Sequence, residues 1–127
     1  MAGILPKPAA RRLALAVAGM RVALGALAMV APDLALRPWV GRPGGAERRV
    51  LARALGARDI ALGLGALLAA RRGAPLRGWV EAGSLADVGD TLSTALAFGR
   101  LPVTGRVLVL GAAAGAAGAG ALAAPSV

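Results

Sequence analysis

The 127-residue sequence contains neither cysteine nor histidine. That absence removes disulfides, thiol nucleophiles, Cys/His metal sites and histidine acid–base chemistry in one step. It leaves the redox compartment open. Aromatic side chains are scarce, with two Trp, one Phe and no Tyr, so stacking of nucleic-acid bases has little to work with. Acidic residues number 6 against 15 basic ones, for a formal net charge of +9, and Lys7 stands as a single lysine among arginines. A basic chain attracts phosphates. These arginines, however, are not gathered on polar helices. They lie between apolar runs, where arginines flank membrane spans and meet lipid headgroups. No nucleic-acid partner is expected on that ground.

What is abundant is apolar surface. Hydrophobic residues make up 57 % of the chain, charged residues 17 %, and the mean hydropathy is +0.70. A chain of this length forms one domain, and one small core would not hide that much apolar surface from water. A bilayer removes the difficulty. The dominance of arginine, alanine and glycine also looks like high-GC coding bias, so part of the small-residue content carries no functional meaning.

Along the chain, Arg11 and Arg12 precede an apolar run from Leu13 to Val30. A cleaved secretory signal needs an uninterrupted apolar centre. Arg21 breaks the run, which favours a first transmembrane helix. Pro32, Pro38, Pro43, Gly44 and Gly45 crowd the next segment and predict a loop. Leu34, Leu36, Trp39 and Val40 would lay that loop along the membrane interface. Arg71, Arg72 and Gly73, with Pro75 close behind, are stop signals for a second helix. Trp79 falls at the opposite interface, near the start of a third. The expected fold is all-α: a single four-transmembrane-helix bundle over residues 1–127, with helices at about 11–31, 46–71, 76–98 and 103–124. Both termini then share one side with Lys7, Arg11, Arg12, Arg71, Arg72 and Arg77. Arg37, Arg42, Arg48, Arg49, Arg100 and Arg106 occupy the other. The first helix usually sets orientation, which assigns both termini to the cytoplasmic face of the plasma membrane.

Charges interrupt these runs where they are costly. At a rise of about 1.5 Å per residue, Arg21 lies about 12 Å from the side holding the N-terminus, Asp59 about 16 Å with Arg58 slightly deeper, Asp87 about 15 Å and Asp90 about 20 Å. In a hydrocarbon layer about 30 Å thick all five gather around the midplane. Arg58 and Asp59 point about 100° apart and can serve different neighbours. Asp87 and Asp90 share one face, which continues as a polar stripe through Ser84, Thr91 and Thr94, with Glu81 near the interface. Gly25, on the face of Arg21, leaves room for a close neighbour. The expectation is a buried network of Arg21, Arg58, Asp59, Asp87 and Asp90, for which guanidinium–carboxylate geometry suits arginine over lysine.

Two functions compete for such a network. It can be a structural lock that sets helix order and register, since a span with an unpaired charge is penalised by about several kcal/mol. It can also be a site. Three carboxylates against two arginines leave one acid in excess, able to carry a proton or meet a cation or polar headgroup. The leading expectation is a structural or interaction protein. The alternative is a proton-linked binder or carrier of a small polar or lipid molecule. An enzyme is not expected, because no nucleophile–base pair can be assembled. In the last helix Gly111, Gly115, Gly118 and Gly120 form a small-residue surface, and the spacing of Gly111 and Gly115 suits a homo-oligomer contact.

Other motifs fail on their chemistry. Gly63 and Gly65 lack the third glycine of a dinucleotide fingerprint, and Gly41–Gly45 lacks the Lys-Ser/Thr of a phosphate loop. Asp87 and Asp90 alone make a poor metal site, with arginines competing for them. No cofactor and no metal are expected.

The run Gly56-Ala57-Arg58-Asp59-Ile60-Ala61-Leu62-Gly63-Leu64-Gly65, followed by Asp87-Val88-Gly89-Asp90, resembles a family of small bacterial four-helix membrane proteins. That family is a domain of unknown function whose general layout is similar to that of the DoxX-like membrane proteins. The resemblance covers about Val17 to Pro102. It implies a four-helix bundle in the plasma membrane and no particular activity.

Overall fold

The computed structural model describes residues 5–41, 44–123 and 127. Among them the chain is helical, with no strand: α1 Lys7–Val30, α2 Pro32–Val40, α3 Ala46–Arg71, α4 Arg77–Leu96 and α5 Val103–Ala123, with a 3-10 turn at Phe98–Arg100 between the last two. Arg42, Pro43 and Ala124, which the sequence reading used, lie outside the described residues.

Three boundaries differ from expectation for identifiable reasons. α1 starts at Lys7, four residues earlier than its charge pattern suggested, with Pro6 at the cap and Pro8 in the first turn. A proline there removes an N–H that has no helical partner anyway. The segment expected as a loop folds into α2. Pro32 opens it, Asp33 places a carboxylate in its first turn, and Gly41 ends it at φ 84°. The prolines that suggested a loop are tolerated because a nine-residue helix has few internal bonds for Pro38 to remove. α4 closes at Leu96, two residues short of the expected end, and the 3-10 turn takes over.

α3 keeps its expected span. Glu47 lies in its first turn and Arg71 in its last, both complementary to the helix dipole. It ends in a Schellman motif. Ala74 N–H donates to Ala69 O (2.9 Å) and Gly73 N–H to Ala70 O (3.3 Å), with Gly73 at φ 67°, where a side chain would be strained.

The antiparallel pair α1–α3 is the most intimate contact in the bundle. Ala10, Ala14, Ala18 and Gly25 are buried on α1, and Ala52, Gly56, Gly63 and Ala66 on α3. These small residues bring backbone against backbone. A Cβ on Gly25 would lie 2.5 Å from Gly56 O, one on Gly56 2.6 Å from Gly25 O, and one on Gly63 2.5 Å from Ala18 O. Each end is stapled by an arginine from the partner. Arg53 Nε donates to Met29 O (3.1 Å) and Arg11 Nη2 to Ala70 O (3.1 Å), so each places a cation on a carbonyl in the last turn of the partner helix.

α4 and α5 form a second pair, and α2 bridges α1, α3 and α5. Gly105 admits the Trp39 carbonyl against α5, and Gly65 admits the Trp79 ring against α3. α4 meets α3 over little of its length. Beyond the Trp79 ring on Gly65, what joins them is ionic.

The distribution of side-chain size is inverted relative to a water-soluble domain. Among the described residues the buried apolar side chains are Ala10, Ala14, Ala18, Ala52 and Ala66, with Pro32, Leu76 and Val109 the larger ones. Large apolar side chains face outward on every long helix, among them Leu24, Leu55, Leu64, Leu92 and Leu110. Among the described residues, α1 is the one helix long and apolar enough to cross a membrane by length and composition, and the comparable part of α5, Val103–Ala112, is shorter.

Candidate functional site

The charged groups that interrupt the apolar runs come together along one line. Arg21 on α1 donates through Nη1 to Asp59 Oδ1 (3.0 Å) and through Nη2 to Asp87 Oδ2 (2.5 Å). The same Nη2 also reaches Gly83 O (3.0 Å). Arg58 on α3 grips Asp90 on α4 with two N–H groups, Nη1 to Oδ1 (2.9 Å) and Nη2 to Oδ2 (2.7 Å). Its Nη2 lies 3.2 Å from Asp59 Oδ1. The order is Asp87–Arg21–Asp59–Arg58–Asp90, with charge alternating at every step. The fork-to-fork pairing of Arg58 with Asp90 is a geometry that lysine cannot supply.

Helix periodicity produces this line. Adjacent residues Arg58 and Asp59 diverge around α3, so one turns to α4 and the other to α1. Asp87 and Asp90, three apart on α4, share a face and take one arginine each. Gly83 lies one turn before Asp87, and a Cβ there would meet Arg21 Nη2 at 3.1 Å. The glycine thus gives the guanidinium both space and a carbonyl acceptor. Sequence reasoning did not single out Gly83, although a small residue four before a buried acid was a usable signal.

Burial is partial. Arg21 is the most enclosed at 11 % side-chain exposure, and Asp87 the least at 34 %. In water, pairs at that exposure are weakened by screening; in a hydrocarbon layer they would not be. Arg58 Nε is buried without a hydrogen-bond partner among the described residues.

The polar stripe on α4 divides. Thr91 Oγ1 donates to Asp87 O (2.7 Å) and Thr94 Oγ1 to Asp90 O (2.6 Å). These hydroxyls satisfy themselves on their own helix beside the two acids. Thr94, buried, also accepts from Trp39 Nε1 at 3.2 Å, an indole expected only to float at the interface. Ser84 stands near Asp87 in the wall of a small cavity of about 50 Å3 that Arg21 and Trp79 also line. Glu81 does not join. It pairs with Arg77 one turn away (2.7 Å), both largely exposed.

A larger cavity of about 330 Å3 opens on the other side of Asp59, bounded by α1, α2, α3 and α5. Its walls are apolar, including Leu24, Leu55 and Leu108, with Trp39 at one side and Asp59 as the one charged residue. Sequence reasoning missed it, because α2 forms one of its walls and was read as a loop.

Gly111 and Gly115 face open space, since a Cβ on either would meet nothing within 4 Å. No group of three or more acids that could hold a metal ion occurs among the described residues. No protein-family model, no curated protein and no solved structure matches this chain.

Proposed function

We propose that the protein is a membrane-embedded bundle in which α1, α3, α4 and α5 cross the bilayer, and that its primary role is structural or interactive. The observation that carries this reading is the inverted interior. Alanine, glycine and ion pairs lie inside while leucine, valine and methionine lie outside, the arrangement that hydrocarbon solvent favours and water does not. The apolar stretch of α1 is only 22 % buried by the rest of the chain, which supports a lipid surround. In this reading the five charges lie near the midplane, where pairing fixes helix order. The plasma-membrane location, the cytoplasmic termini and the DoxX-like layout belong to the same proposal.

The test uses the absence of cysteine. Single cysteines at Arg72 and Gly99 place one thiol at the α3–α4 turn and one at the α4–α5 turn. In intact cells a membrane-impermeant maleimide should label one and spare the other, and the protein should resist alkaline extraction. Labelling of both from one side, or release by alkali, overturns the four-span arrangement.

A second reading is favoured by the cavity at Asp59. A bundle serving only as a lock has no need of about 330 Å3 beside its central acid. The cavity supports a binder of a small molecule, whose recognition by the chain would be seen as saturable binding lost when the space is filled.

A further inference from the structure

The binder reading leaves the occupant unnamed, but the charge pattern constrains it. Arg58 takes Asp90 with two N–H groups, and Arg21 takes Asp87 at its shortest contact. Each guanidinium thereby has a principal carboxylate. Asp59 is the third acid, and it receives one further N–H from each arginine, both on Oδ1. Oδ2 accepts no hydrogen bond among the described residues. With all five groups ionised the line carries a formal charge of −1, and the carboxylate shared by both arginines is the one that lines the larger cavity.

The rest of that cavity is apolar, with one exception in kind. Trp39 is in its wall, held by its bond to Thr94, and an indole face attracts ammonium groups. Leu24 and Leu108 at the wall are 54 % and 44 % exposed. The cavity therefore opens sideways, onto the surface that the proposed bilayer covers. Its volume falls at the small end of ligand sites.

We propose that this cavity binds a small amphiphilic amine. The ammonium head donates to the free oxygen of Asp59 beside Trp39, and the apolar tail runs along Leu24, Leu55 and Leu108 toward lipid. The inference rests on the binder reading. A carboxylate head would place a like charge against Asp59 in a line whose formal sum is −1, and a hydroxyl head supplies a donor without the charge, so the site discriminates by head group.

The experiment is calorimetric titration of the full chain in phosphatidylcholine nanodiscs with n-octylamine, n-octanol and n-octanoate, with empty nanodiscs subtracted. Saturable binding of octylamine is expected, with octanol at least about tenfold weaker and octanoate undetectable. Asp59→Asn should weaken octylamine by at least about tenfold. Because Asp59 also holds both arginines, a second variant keeps the test independent of folding. Ala35→Phe fills the cavity from α2 without touching an ion pair, and it should abolish octylamine binding while helix content and melting stay unchanged. Octylamine binding that survives Ala35→Phe overturns the site. Equal binding of octylamine and octanol, both lost in Ala35→Phe, overturns the head-group assignment and leaves the binder reading standing. No saturable binding of any probe to the unaltered chain overturns both.

Discussion

Two helix contacts in this bundle are built on opposite principles. α1 and α3 touch backbone to backbone, through Gly25, Gly56 and Gly63, and their ends are capped reciprocally by Arg53 and Arg11. α3 and α4 share little packing, and Arg58 with Asp90 bridges the gap. The first contact gains dispersion energy over a long seam, with the Arg21–Asp59 pair set within it. It is the way helices associate where lipid removes any hydrophobic advantage. The second is concentrated in a few atoms. It tolerates distance but not loss of a partner, because the remaining charge would be left without compensation. A seam of small residues determines how closely helices lie, and an ion pair determines which helices meet and in what register.

The comparison can be broken from either side. The largest effect is expected at the seam. Gly63→Leu puts side-chain atoms where Ala18 O already lies within 2.5 Å of a Cβ position, and backbone cannot yield as a side-chain tip can. The loss should exceed about 4 kcal/mol, seen as failure to recover a folded, monodisperse protein in mild detergent. Arg21→Ala comes next. Arg21 is the most enclosed ion and holds carboxylates on two different helices, so its removal should cost about 3–5 kcal/mol, measured by denaturation in mixed micelles. Hydrogen exchange adds a sharper distinction. Arg21→Ala should raise exchange in α4 and leave the α1–α3 seam protected, whereas Gly63→Leu should expose the seam.

Smaller effects mark the periphery. Thr94→Val removes the acceptor for Trp39 Nε1 and should cost about 1 kcal/mol, with a shift in Trp39 fluorescence as its signature. Arg49→Ala breaks a pair with Asp33 (2.9 Å) in which both partners are substantially exposed. It should change stability by no more than about 0.5 kcal/mol. A loss as large as that of Arg21→Ala would mean that the exposed and enclosed pairs do not differ as described.

How much of this could be read from the residues alone varied with the kind of signal. Arg21, Arg58, Asp59, Asp87 and Asp90 stood out because each interrupts an apolar run, and helical spacing indicated which of them share a face. The end of α3 at Arg71 was visible in the stop residues. α2 was not, because Pro32 and Pro38 carry opposite meanings at the start of a helix and inside one, and only the tertiary contacts of Trp39 and Asp33 decide between them. The glycine seam was equally obscured. In a chain so rich in alanine and glycine, nothing local tells Gly56 and Gly63 from Gly111 and Gly115, yet the first pair lies against α1 and the second faces open space. The larger cavity had no local signal at all, since four separate helices enclose it.

The central claim is that α4, which packs on α5, is held to α3 chiefly by ionic pairing. A double-mutant cycle on Arg58 and Asp90 in nanodiscs tests it most directly, with unfolding followed for Arg58→Ala, Asp90→Ala and the pair. The account predicts strong coupling, about 1–2 kcal/mol, with the double variant more stable than the sum of the single losses allows. Additive losses, or single variants as stable as the unaltered chain, would contradict it.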